Sequence, residues 1–145
     1  MSQFESIALI GPGRVAHQLG AALHDQGVTI EGVYGRNAEE TKKLADKLDS
    51  RVIVNLSDVI QADLILVTVS DDAVAEVSHQ MNRNNKGLVV HTSGAVPLSA
   101  IEGPNRRAVF YPLQSFSLDK HIIWENVPFC LEAENDEDLN GLGGL

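Results

Sequence analysis

The stretch "IGPGRVA", Ile10 to Ala16, spaces two glycines and an alanine as G-x-G-x-x-A between an apolar run and an amphipathic one. Each position suits the capture of an anion. Gly11 permits a tight turn, with Pro12 following in it. Gly13 lets the backbone approach a pyrophosphate with no Cβ in the way, and Ala16, with Gly20 one turn on, lets a helix pack close to a sheet. The anion would rest on the free N–H groups of Arg14 and Val15 at the helix N-terminus, helped by the helix dipole. The plainer alternative is a glycine turn that only joins strand to helix. About twenty residues beyond such a fingerprint, an Asp or Glu ordinarily meets the ribose 2′-hydroxyl of NAD. Here "VYGRN" supplies Gly35, Arg36 and Asn37 instead. A guanidinium offers a planar fork to a phosphate and Asn37 adds donors beside it, so the pattern predicts a 2′-phosphorylated ribose, that of NADP. A solvated surface arginine is the alternative reading, and Lys42 and Lys43 just beyond read as solvent-facing.

A second group of side chains lies in "VVHTSGA". His91, at a strand end, could pass a proton near neutral pH, and the Ser93 hydroxyl could hold a substrate oxygen or a carboxamide. A histidine so placed more often satisfies backbone groups. His17, His24, His79 and His121 have no convincing partners in the sequence and read as surface or packing residues. The one cysteine, Cys130, sits within the apolar "VPFCLEA" and reads as a buried strand thiol. No His, Cys and carboxylate cluster has ligand spacing, so no metal site is expected.

These groups need strand ends to carry them, and the 145 residues suffice for one ordinary domain. Ser6 to Ile10 reads as a strand and Arg14 to Gln26 as a helix ended by Gly27. Val28 to Tyr34 is a second strand, after which Asn37 and Glu40 match a capping box for a helix to about Leu48. Arg51 to Leu56 is expected as a third, short strand. Ala62 to Ser70 is nearly all β-branched or aliphatic, as expected of a strand buried on both faces. Asp71 and Asp72 suit the first turn of a helix whose Val74, Val77 and Met81 share a face. "LVVHT", "RRAVFY" and "VPFCLEA" add strands, "VPLSAI" a short helix with Pro97 at its start, and "NDEDL" the first turn of another. This alternation predicts an α/β fold of Rossmann type, a doubly wound, mostly parallel sheet with helices on both faces, which binds ligands at the carboxyl ends of its strands. The net charge of −9, without a basic stripe, argues against a nucleic-acid partner. Glu5 replaces a basic leader and the apolar run Ile7 to Ile10 is too short for a signal or a membrane span, so a cytoplasmic location is expected.

Taken together, "GPGRVA", "TVSDDAV", "HTSGAVPLSA" and "FYPLQSFS" resemble a bacterial family of two-domain NADP oxidoreductase-like proteins, related to pyrroline-5-carboxylate reductase and the β-hydroxyacid dehydrogenases. The likeness covers nearly the whole chain. It implies an N-terminal Rossmann domain over residues 1–134, with 135–145 beginning a helix toward a helical C-terminal domain. That domain, which forms the other wall of the active site and much of a dimer interface in the family, is not expected within this chain, whose sequence stops at "EDLNGLGGL". In those relatives the nicotinamide lies over the end of the fourth strand and the loop after the fifth. The resemblance carries this to Val69, Ser70 and Asp71, and to His91, Thr92, Ser93 and Gly94. Gln114 is a further polar contact at the mouth. The implied function is the NADP-binding part of an oxidoreductase that transfers a hydride to or from a small carbonyl, imine or hydroxy compound. A non-catalytic, redox-sensing dinucleotide module is the alternative, and self-association stays open. A third class, a phosphate-free signalling domain, would need an acidic pocket for which Asp71 and Asp72 are poor support.

Overall fold

The apolar runs and helical stripes form an alternating series in the computed structural model, which describes residues 5–58, 60–81, 85, 87–92, 98, 101, 106–112 and 129–133. Strand β1 (Ser6–Ile10) leads to helix α1 (Arg14–Asp25), and strand β2 (Thr29–Tyr34) to helix α2 (Ala38–Lys47). Strand β3 (Leu64–Val67) is followed by a 3-10 turn (Asp71–Ala73) and helix α3 (Val74–Gln80). Strands β4 (Leu88–His91), β5 (Arg107–Pro112) and β6 (Phe129–Ala133) complete a six-stranded sheet in the order β2-β1-β3-β4-β5-β6. Strands β1 to β5 run parallel, and β6 returns antiparallel along β5.

Successive side chains of a strand point to opposite faces, and both faces here are covered. Ile7 and Leu9 of β1, with Leu64 and Leu66 of β3, pack with Leu19 and Leu23 of α1 and with Leu44 of α2. Ala8, Ile10, Ile65 and Val67 point the other way, into a cluster with Val74 and Val77 of α3. Helices α1 and α2 therefore lie on one face and α3 on the other, as a doubly wound sheet requires. The winding reverses between β1 and β3, and in such sheets a crevice opens there, beyond the carboxyl ends of the strands.

Local chemistry sets the element ends. Helix α2 begins at its predicted cap, where Asn37 Oδ1 accepts from the Glu40 N–H at 3.0 Å, and Glu39 and Glu40 in the first turn suit the helix dipole. The strand expected over Arg51 to Leu56 needs correcting, since it is reduced to one bridge between Val52 and Val33. The Val33 N–H donates to the Arg51 carbonyl at 2.9 Å and the Ile53 N–H to the Val33 carbonyl at 2.8 Å. The Ile53 side chain fills the space over Gly32, and a turn closed by the Asp58 N–H on the Asn55 carbonyl, 3.2 Å, then draws the chain away. The run Ala62 to Ser70 is likewise strand only over β3. The helices expected in "VPLSAI" and "NDEDL" fall outside the described residues, Leu98 and Ile101 excepted. Cys130 lies in β6, with its side chain outside the description.

Candidate functional site

Backbone geometry fixes the turn after β1. Gly11 has φ +102°, and a Cβ there would come within 3.0 Å of Val69 Cγ1 and 3.1 Å of the Thr68 carbonyl oxygen, so the turn itself demands glycine. The Gly11 N–H donates to the Tyr34 carbonyl at 2.7 Å. The Thr68 hydroxyl sits 2.7 Å from the Gly11 carbonyl oxygen and 3.2 Å from that of Ile10. The ends of β1, β2 and β3 are thereby tied together around the glycine loop. Gly13 is different. It is exposed and extended, with φ −83° and ψ −171°, and a Cβ on it would meet nothing nearer than the Thr68 carbonyl oxygen at 3.7 Å. The fold has no need of a glycine at that position.

Gly13 is also the N-cap of α1, which has no side-chain cap and no acidic residue in its first turn. The His17 N–H, bonded to the Gly13 carbonyl at 3.0 Å, opens the helical ladder, so the N–H groups of Arg14, Val15 and Ala16 precede it at the positive end of the dipole. The capped, acid-bearing start of α2 is the opposite arrangement. Ala16 is fully buried, and a Cβ on Gly20 would lie 2.9 Å from Leu9 Cδ1, so α1 rides close on β1.

Beyond these strand ends lies a cleft of about 370 Å³, within the range of small-molecule sites. Of the residues predicted to bind a cofactor, Gly11, Pro12, Gly13, Gly35, Arg36, Asn37, Val69 and Ser70 line it. Ala16 is buried on the core side of α1, and Val15, Asp71 and Thr92 are off the lining. Arg14 opens α1, but its side chain is outside the description, as are Ser93, Gly94 and Gln114 altogether. His91 is fully buried in β4, between Val67 and Val109 in the register, and is not on the cleft surface. The sequence reading missed Tyr34, Glu40, Thr68, Ala73 and Val77, which also line the cleft. Thr68, just after the most apolar strand, and Tyr34 and Glu40, beside the predicted Gly35 to Asn37, had local signals; Ala73 and Val77 are brought in by the crossover after β3.

Arg36 stands on the rim with its side chain 78% exposed, and its Nη2 lies 3.9 Å from Glu76 Oε2 on α3. Lys42 pairs with Asp46 at 3.4 Å, and Lys43 with Glu39 at 3.5 Å and Glu40 at 3.7 Å, so both lysines are engaged along α2. Asn37 spends its side-chain oxygen on the helix cap. Gly35 is needed for close approach, because a Cβ there would collide with the Thr41 hydroxyl and with Pro12. On the far side of the loop, His17 has its Nε2 enclosed without a hydrogen-bond partner among the described residues. Burial pushes its pKa below 6.5, Lys47 adds to the effect and Glu40 opposes it. Among the described residues no helix is long and apolar enough to cross a membrane.

Residues 3–113 match the Rossmann-like domain family. A solved structure from Bacteroides fragilis, a protein to which an NADP oxidoreductase activity is provisionally ascribed, superposes with a TM-score of 0.89 at 34% identity, covering 97% of this chain and 56% of its own. The pyrroline-5-carboxylate reductase of Coxiella burnetii shares the fold, with a TM-score of 0.72 at 17% identity over 94% of this chain and 53% of its own. An L-aspartate dehydrogenase from Methanocaldococcus jannaschii is 26% identical over 95 residues, which is 62% of this chain and 36% of that enzyme. The chain thus spans about a third of the length of that curated relative and about half that of the two solved proteins.

Proposed function

Because the chain belongs to the Rossmann-like domain family, we propose that its cleft binds NADP and serves an oxidoreductase that transfers a hydride to or from a small carbonyl, imine or hydroxy compound. One contrast carries the reading: Gly11 is glycine for the fold, whereas a Cβ on Gly13 would meet the protein only in ordinary contact, at 3.7 Å from the Thr68 carbonyl oxygen. A position kept bare beside the uncapped start of α1 fits a pyrophosphate held against backbone N–H groups. The residues present suit the rest of the cofactor. Tyr34 and Gly35 would border the adenosine, Val69 and Ser70 the path toward the nicotinamide, and Arg36 the ribose 2′-phosphate. When bound, the nicotinamide supplies or accepts the hydride; the chain's own part is to hold and orient it.

Arg36 supports NADP over NAD because it projects from the β2 end, where an acid would repel a phosphate. A charge-assisted contact of this type contributes about 1.5–3 kcal/mol, or roughly tenfold to a hundredfold in affinity. Asp71, Thr92, Ser93 and Gly94 belong to the proposed nicotinamide side, with the Ser93 hydroxyl for a substrate oxygen or the carboxamide. The full enclosure of His91 suits support of the β4 end better than proton exchange with a substrate. The test is titration of NADPH and NADH against the wild type and Arg36→Asp. NADPH should bind more tightly to the wild type, and the variant should lose that preference. Equal affinities for the two cofactors, or an unchanged NADPH constant in Arg36→Asp, would sink the assignment.

A further inference from the structure

A residue that lines the cleft makes an ion pair with a residue of α3. Arg36 follows β2 and Glu76 lies on α3, with 3.9 Å between Nη2 and Oε2. Glu76 is steadied from behind, its other oxygen accepting from Gln80 Nε2 at 3.4 Å. Ala73 and Val77, on the same stretch of chain, line the cleft beside Arg36, and the 3.9 Å approach to Arg36 brings the Glu76 carboxylate to that rim. Both side chains are largely exposed, at 78% and 62%, so the pair is weak and exchangeable.

We propose that Glu76 is a specificity-determining residue: its carboxylate competes with the ligand's anionic group for Arg36, and so sets how strongly a ribose 2′-phosphate is preferred over a ribose hydroxyl. This rests on the assignment of Arg36 to the 2′-phosphate. To bind that group, the guanidinium exchanges a singly charged carboxylate for a more highly charged phosphate with three acceptor oxygens, which favours the exchange. Leaving Glu76 is nevertheless a cost that only the phosphorylated cofactor incurs. NADH brings no anion to Arg36, so the pair persists and NADH affinity is indifferent to Glu76.

Glu76→Gln removes the charge and keeps the length of the side chain. In this variant NADPH should bind about two- to fivefold more tightly, the weakness of an exposed pair setting the limit, while the NADH constant stays unchanged. The gain should shrink in about 0.5 M salt and vanish in the Arg36→Met background. An unchanged NADPH-to-NADH ratio in Glu76→Gln would overturn the proposal. So would equal tightening of both cofactors, which signals only a less negative surface, or a gain that survives in Arg36→Met. Arg36→Met binding NADPH as the wild type does would overturn the Arg36 assignment and this proposal with it. A large NADPH loss in Arg36→Met beside an inert Glu76→Gln would overturn this proposal alone.

Discussion

Substituting alanine for each of the two loop glycines should damage different properties. At Gly11 the backbone is left-handed, which costs a residue with a Cβ about 1–2 kcal/mol. The new methyl would also press on Val69 Cγ1 at 3.0 Å and on the Thr68 backbone at 3.1 Å. That backbone is held by Thr68 hydrogen bonds to β1 and cannot yield freely, so overpacking adds about 1–3 kcal/mol. Gly11→Ala should therefore destabilise by about 2–5 kcal/mol, lowering the melting temperature by roughly 5–20 °C in a domain of this size. At Gly13 the backbone is extended and the methyl meets only ordinary contact at 3.7 Å. Reduced freedom in the unfolded chain gains about 0.4–1 kcal/mol, and the poorer N-cap preference of alanine offsets it. Gly13→Ala should melt within a few degrees of the wild type yet bind NADPH at least about tenfold more weakly, and Gly13→Val should not bind it measurably. Thermal melts followed by circular dichroism and fluorescence titrations with NADPH measure both quantities. If Gly13→Ala is as unstable as Gly11→Ala, or Gly13→Val binds NADPH normally, the bare position is structural and the phosphate is held elsewhere.

Thr68→Val keeps the shape but removes the hydroxyl that meets the Gly11 carbonyl at 2.7 Å. It should cost about 1 kcal/mol in urea denaturation and weaken NADPH binding several-fold, with Thr68→Ser restoring most of both; identical behaviour of the two variants would refute a role for the hydroxyl. His17, with a native pKa below 6.5, gives stability an acid limb. Above that value both states hold it neutral; as the pH falls, the unfolded chain takes up the proton first, so stability declines. Melting temperatures measured from about pH 7 to pH 5 should fall, and His17→Leu should flatten that decline. An unaltered slope in the variant would assign it to other groups.

The first half of the fold was legible because its signals are local. The stripe of α1 and the Asn37 cap of α2 are written in adjacent residues, and their predicted bounds hold closely. The segment around Val52 misled because β-branched composition reports suitability for a strand, whereas pairing depended on Ile53 seating over Gly32 and on the turn at Asn55. The direction of β6 had no composition to announce it. Within the site, the glycine loop and Arg36 could be found by spacing from the first strand. Ala73, Val77 and Glu76 could not, because α3 reaches the cleft from the opposite face of the sheet through contacts more than thirty residues away in sequence. His91 had the right chemistry on paper, but its enclosure depends on neighbouring strands.

The alternation of side chains along β1 and β3 gives the cleft a mechanical character. One wall, the start of α2, is rooted in the cluster of Ile7, Leu9 and Leu44, and the other, α3, in that of Ile10, Val67 and Val77. The two half-cores share strands but not side chains, so the cleft lies along a seam between them. Sliding of α3 over its own face would alter the width of the cleft without repacking the half-core beneath α1 and α2. The strand ends are tied to one another by the hydrogen bonds of Thr68 and Gly11 and not to α3. The loop proposed to receive the phosphate is thus tied to the strand ends, while α3 rests on a half-core of its own.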